Sequence, residues 1–171
     1  MRLSGLLVIS PTLFPDARGL FFEAFQQERY RALGLPDFVQ DNCSVSKKGV
    51  VRALHFQAGE GQAKLVSCLA GKIWDVAVDM RPGSSTYGEW EAVELSGDNR
   101  LQFFIPEGFA HGFCALEESL VLYKVNRPYS APLEKTVRWN DPELAIPWPI
   151  SHPLLSERDQ AAPCLREALE C

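Results

Sequence analysis

Between residues 64 and 126 the chain strings short apolar runs between turn-forming residues: KLVSCLAG, KIWDVAVDM, WEAVELSGDN, LQFFIPEG and SLVLYKVN. In KIWDVAVDM, Trp74, Val76 and Val78 alternate with Asp75, Ala77 and Asp79, a period of two. That period sends successive side chains to opposite faces of an extended strand and does not build one apolar stripe on a helix. SGDN (96–99) and IPEG (105–108) carry the composition of turns. Short strands at regular spacing predict a mainly β fold: a sandwich, jelly roll or small barrel.

Helical signals are short and lie toward the two ends. QQERYRALGLP (26–36) combines helix formers with Gly34 as C-cap and Pro36 beyond it. LSERDQAAP (155–163) starts a second helix, with Ser156 followed three positions later by Asp159. Pro142, Pro147, Pro149 and Pro153 mark a rigid irregular segment before it. With 171 residues, no linker and no internal repeat, residues 1–171 are expected to form one domain around one core.

Hydrophobic residues at 46% and charged residues at 23% match a folded soluble protein. The 22 acidic and 17 basic residues are interspersed, giving a net charge of −5 and no basic stripe, which argues against nucleic acid as a partner. A few local arginines still suffice to hold an anionic small molecule. No apolar run reaches membrane-spanning length, and MRLSGLLVIS is too short and broken for a signal peptide. The five cysteines, at 43, 68, 114, 164 and 171, form neither CxxC pairs nor zinc spacing. A reducing cytoplasm fits them, with Cys43 and Cys68 as small core residues.

Chemistry centres on few residues. Of the three histidines, His55, His111 and His152, none has a second histidine two positions on; Gln57 and Phe113 stand there instead. A metal site needs three or four converging ligands, so no metal is expected. A metal-free acid–base site is the better physical candidate. An imidazole ordinarily titrates near about 6.5, so His55 is able to accept a proton at neutral pH. A phenol titrates near about 10, so Tyr123 stays protonated and is able to donate. The Lys64 ammonium would stabilise a developing oxyanion. Base, acid and oxyanion partner together suit proton abstraction beside a carbonyl. On spacing alone, Tyr123 reads equally as a core aromatic and Lys64 as a solvated edge residue.

Two features of the spacing stay open. In RALHFQ (52–57), regular alternation places Arg52 and His55 on opposite faces; they share a cavity only if the strand twists or bulges. Ser156 and Asp159 have the spacing of a capping box, whereas a buried carboxylate could instead orient His55.

Longer words carry a resemblance. DARGLFFEAF (16–25), FVQDNCSVSKKGVVRALHFQ (38–57), GQAKLV (61–66), GKIWDVAVDMRPGSSTYGEW (71–90), IPEGFAHGF (105–113), LYKVNRPYSAPLEKTVRWNDPELAIPWP (122–149) and LSERD (155–159) resemble, in order, the dTDP-4-dehydrorhamnose 3,5-epimerase family. The resemblance implies a jelly roll of the cupin kind. It also implies a homodimer and a dTDP-linked 4-keto-6-deoxy sugar as ligand, with neither metal nor organic cofactor. By the family's pattern His55 matches the general base, Asp159 its partner carboxylate, Tyr123 the acid and Lys64 the enolate-stabilising lysine. Arg52 and His111 match residues lining the sugar and diphosphate site. Arg18, Glu23, Gln40, Asp41 and Asn42 fall on nucleotide-contacting segments, partly across the dimer. Glu134 and Arg158 match further nucleotide-side positions, and Tyr129 an aromatic near the base or sugar. Ala53 departs from the family's usual R-G-L-H; an alanine there is strained if the backbone needs positive φ and shifts the strand slightly if glycine serves close packing. The alternatives are a mono-epimerase acting at carbon 3 or carbon 5, a non-catalytic sugar-nucleotide-binding cupin and a metal-dependent cupin oxygenase.

Overall fold

The computed structural model describes residues 1–169, so Cys171 lies outside the described residues. The strands are β1 (Leu7–Ile9), β2 (Leu13–Asp16), β3 (Gly19–Phe22), β4 (Gln40–Ser46), β5 (Val51–Gln57) and β6 (Lys64–Ala70). They continue with β7 (Lys72–Asp79), β8 (Trp90–Ser96), β9 (Gln102–Ile105), β10 (Phe109–Ala115), β11 (Ser119–Val125) and β12 (Glu134–Thr136). Helix α1 (Gln27–Ala32) precedes β4, and α2 (Glu157–Gln160) follows β12.

One sheet has the order β1-β9-β6-β11-β4 and the other β12-β5-β10-β7-β8, with β2 and β3 as a separate hairpin. Every strand pairing is antiparallel. The mainly β expectation holds, and the period of two in KIWDVAVDM acquires a meaning. Ile73 and Ala77 join Val66, Phe103 and Phe113 in one apolar cluster. Val76 and Val78, of the opposite phase, pack with Leu144, Ile146 and Trp148 from the proline-rich segment. Fully burying a side chain such as Phe103 contributes about 1.5–3 kcal/mol, so these layers hold the sheets in place.

Both helices are shorter than their sequence signals. The Gln26 side chain caps α1 by accepting from Arg29 N at 2.7 Å, and Gly34 at φ 86° takes the chain out. Helices this short are marginal alone, and α1 is held through Tyr30, which is buried with Leu65 and Phe104. Cys68 and Cys114 are buried, but Cys43 is exposed and is not a core residue. Alternation along β4 explains this: Gln40, Asn42 and Ser44 are partly covered while Asp41, Cys43 and Val45 face outward.

Strand β5 resolves the question raised by RALHFQ. Its register against β10 pairs His55 with His111 but Arg52 with Phe113, so three steps on β5 match two on β10. This is a bulge, and it changes the strand's phase. Val51 and Ala53 before it, and Leu54 and Phe56 after it, all enter the same buried cluster. Arg52 and His55 are left together on the opposite face. Ala53 is not in the positive-φ region. Its methyl instead sits against Gly112, where an added Cβ would lie 2.5 Å from Ala53 Cβ and 2.8 Å from Arg52 O. The close packing at this point is accommodated by the glycine of β10.

Candidate active site

A cavity of about 210 Å³ is lined by His55 and Gln57 of β5, Lys64 of β6, Tyr123 of β11, Gln40 and Asn42 of β4, and Tyr129 and Glu134. Register places these groups. Tyr123 pairs with Asn42 on one side and Val66 on the other, and Lys64 pairs with Val125. Tyr123 and Lys64 are therefore diagonal neighbours of the same phase on adjacent strands.

His55 Nε2 lies 2.6 Å from Asp159 Oδ1, and Asp159 is only 3% exposed. An ionised carboxylate accepts only, so the imidazole hydrogen sits on Nε2 and the Nδ1 lone pair is left for other chemistry. Ser156 Oγ accepts from Asp159 N at 3.1 Å. Ser156 thus caps the backbone at Asp159, while the Asp159 carboxylate lies against His55.

Lys64 is buried, and Nζ donates to His55 O at 3.2 Å. Burial pulls its ammonium down to about 8, with Asp75 and Glu134 opposing. Burial pushes the Tyr123 phenol above its ordinary range, Arg52 opposing and Glu134 adding. At neutral pH the cavity therefore holds a cationic lysine beside a protonated phenol. Burial works against the Glu134 carboxylate, yet hydrogen bonds from Arg158 Nη1 at 2.7 Å and Tyr129 OH at 2.5 Å hold it below its ordinary value.

Other expected positions sit elsewhere in the single chain. His111 does not line the cavity; it is buried, with Nε2 2.8 Å from Asp75 Oδ1. Arg52 shares the face of His55 but is exposed, with Nε donating to Ser46 Oγ at 3.1 Å. Asp41 points outward and pairs with Lys124 at 2.9 Å. Arg18, on the β2–β3 turn, pairs with Asp16 at 2.6 Å, and Glu23 pairs with Arg29 at 3.1 Å. Three residues escaped the sequence reading: Gln57 and Gln62, which line the cavity, and Asp75. The signal for Gln57 was its shared phase with His55; for Asp75 it was a carboxylate in the same phase as Ile73 and Ala77. Among the described residues no three His, Cys, Asp or Glu side chains are grouped to hold a metal ion.

Two facing antiparallel sheets, with a cavity lined from both by a histidine, a lysine and a tyrosine, define a jelly roll of the cupin kind. The chain belongs to the dTDP-4-dehydrorhamnose 3,5-epimerase family, whose pattern matches residues 1–167. It is 49% identical over 169 residues to a dTDP-4-dehydrorhamnose 3,5-epimerase of Salmonella typhimurium, covering 96% of this chain and 92% of that one. A dTDP-6-deoxy-D-glucose-3,5-epimerase from Legionella pneumophila, solved with dTDP-4-keto-L-rhamnose, superposes with a TM-score of 0.94 at 47% identity, over 97% of this chain and 90% of that one. A 3'-monoepimerase from Streptomyces bikiniensis, solved with dTDP-quinovose, gives 0.93 at 33% identity, over 99% and 88%.

Proposed function

We propose that this chain inverts carbons 3 and 5 of dTDP-4-dehydro-6-deoxy-D-glucose to give dTDP-4-dehydro-L-rhamnose. The observation that carries this is the gathering of His55, Lys64 and Tyr123 around one cavity, with Asp159 behind the imidazole. Hydrogens on both carbons are acidic because each neighbours the carbon 4 carbonyl. His55 Nδ1 takes one, and the electron pair moves onto the carbonyl oxygen to form an enolate. Lys64 stabilises that oxygen, Asp159 stabilises the imidazolium, and Tyr123 returns a proton to the opposite face. Once His55 has released its proton to solvent and Tyr123 has regained one, repetition at the second carbon completes the D-to-L change. Gln40, Asn42, Tyr129, Glu134 and Arg158 are assigned to holding the nucleotide sugar, whose remote binding orients the reacting carbons.

Incubation with dTDP-4-keto-6-deoxyglucose in heavy water tests the assignment. Deuterium at carbons 3 and 5 with an L-configured product is the expected result. Exchange and inversion at a single carbon would select a mono-epimerase, and absence of exchange would remove the assignment.

The working form in this proposal is a cytoplasmic homodimer. Buried, unpaired Cys68 and Cys114 suit a reducing compartment, and among the described residues no helix is long and apolar enough to cross a membrane. Phe14 and Phe21 on the β2–β3 hairpin are 55% and 68% exposed, and Val45 on the sheet-edge strand β4 is 69% exposed. Exposed apolar surface beside an open strand edge suits a second copy. Docking there would also give Arg18 and Glu23, which lie on or beside that hairpin, a route to the partner's nucleotide site. Sedimentation equilibrium should return twice the 19.1 kDa chain mass; a monomer at micromolar concentration would overturn the dimer.

A further inference from the structure

Among the described residues, Asp75 is a buried carboxylate near this cavity whose charge the mechanism above leaves unused. It is fully buried on β7, Oδ1 accepting from His111 Nε2 at 2.8 Å. Oδ2, also buried, has no hydrogen-bond partner among the described residues. A carboxylate oxygen kept from water and left unbonded needs a compensating charge nearby. Asp75 interacts electrostatically with two groups, His111 and Lys64.

We propose that Asp75 is a positioning residue for the proton transfers. As a carboxylate it fixes His111 with its hydrogen on Nε2, and it supplies the buried negative charge that keeps Lys64 an ammonium beside the reacting sugar. This rests on the epimerase reading above.

The groups around Lys64 are His55 from β5, Asp75 from β7, His111 from β10, Tyr123 from β11 and Glu134 from β12. Burial holds His111 below its ordinary value, so it is a neutral donor to Asp75 and leaves the carboxylate's charge in place. Glu134 is the other anion, but the Arg158 guanidinium pairs with it at 2.7 Å and offsets its charge. Asp75 is accordingly the larger support for the ammonium, against the burial that lowers it to about 8. Burial also raises the Asp75 carboxyl above its ordinary range, with His111 and Lys64 opposing, so the two charges sustain each other. Removing the carboxylate lowers the pH at which Lys64 loses its proton, and the alkaline limb of activity must move with it.

The test is Asp75→Asn, which keeps size and shape. With dTDP-4-keto-6-deoxyglucose, kcat of the unmodified protein should fall as pH rises through about 8. The variant's limb should lie about one unit or more lower, with kcat reduced at least about threefold at pH 7.5 and about tenfold at pH 9, and KM nearly unchanged. A uniform fall of kcat at every pH, or an unmoved limb, would overturn the inference, since a merely structural role leaves the profile in place. Carbon-13 NMR of lysine Cε, with the Lys64 signal assigned by its loss in Lys64→Met, follows the ammonium without turnover. If Lys64 titrates lower in the variant and neither protein converts the sugar, the role of Asp75 in holding the charge stands and the epimerase reading falls. If the sugar is converted and Lys64 titrates identically in both, Asp75 alone is refuted. Should the variant not fold, the Asp75 carboxyl carbon of the unmodified protein decides: it must report an ionised group at pH 7, and a protonated one refutes the proposal.

Discussion

Replacing His55 with Asn should lower kcat by about 10³- to 10⁴-fold and abolish deuterium wash-in at both carbons, because general-base catalysis typically contributes about 10²–10⁴-fold. The amide is polar like the imidazole but does not reach as far as Nε2, and it has no basic lone pair. Asp159, 3% exposed, then loses its imidazole partner, and an unsatisfied buried polar group costs about 1–3 kcal/mol. The melting temperature should therefore fall modestly while the protein remains folded. Calorimetric titration with dTDP should give an affinity close to the unmodified protein's, since the assigned nucleotide-holding residues are other side chains. Wash-in at the unmodified rate would remove His55 from the role of base.

The second large effect separates two events that His55→Asn abolishes together. Tyr123→Phe leaves the base, Asp159 and Lys64 in place and deletes only the phenolic hydroxyl. Enolate formation should continue, with the proton returned from the face it left. Inversion should fall by about 10²- to 10⁴-fold, the usual share of a general acid, while exchange with solvent deuterium persists at a measurable rate. Chiral analysis of the recovered sugar nucleotide beside its deuterium content checks this. Inversion at an undiminished rate would show that another donor serves the opposite face.

The fold was legible where two signals agreed. In KIWDVAVDM a period of two coincides with bounding glycine and proline, and the strand lies at Lys72–Asp79. Strand β4 was harder to see, because its covered phase is polar: Gln40, Asn42 and Ser44 turn toward the side that carries the site. The same inversion of the usual pattern misplaced Cys43, an apolar residue in the outward phase. The phase change in β5 was legible only as a contradiction. Nothing in RALHFQ announces an extra residue; it becomes visible only against β10, where Gly112 leaves room for Ala53.

For the site, His55, Lys64 and Tyr123 were nameable from their side-chain chemistry, and the structure gathers them around one cavity. Asp159 lies 104 positions from His55, a contact no local spacing encodes. Asp75 was passed over because one acidic residue in a half-covered strand ordinarily reads as solvent-facing. Its burial becomes visible only when β7 is seen to be covered on both sides, by the interior cluster and by the proline-rich segment. Arg18 and Glu23 pair within their own neighbourhood, with Asp16 and Arg29.

The bulge in β5 means that this strand is written in two frames. Val51 to Ala53 belongs to one and Leu54 to Gln57 to the other, with Gly112 marking the splice on the facing strand. Removing a single residue at the splice would merge the frames and turn either the arginine or the histidine into the greasy wall behind it. Transplanting this chemistry onto another sandwich consequently requires moving a pair of strands as one cassette. The histidine alone, grafted onto a regular strand, would arrive without its neighbour.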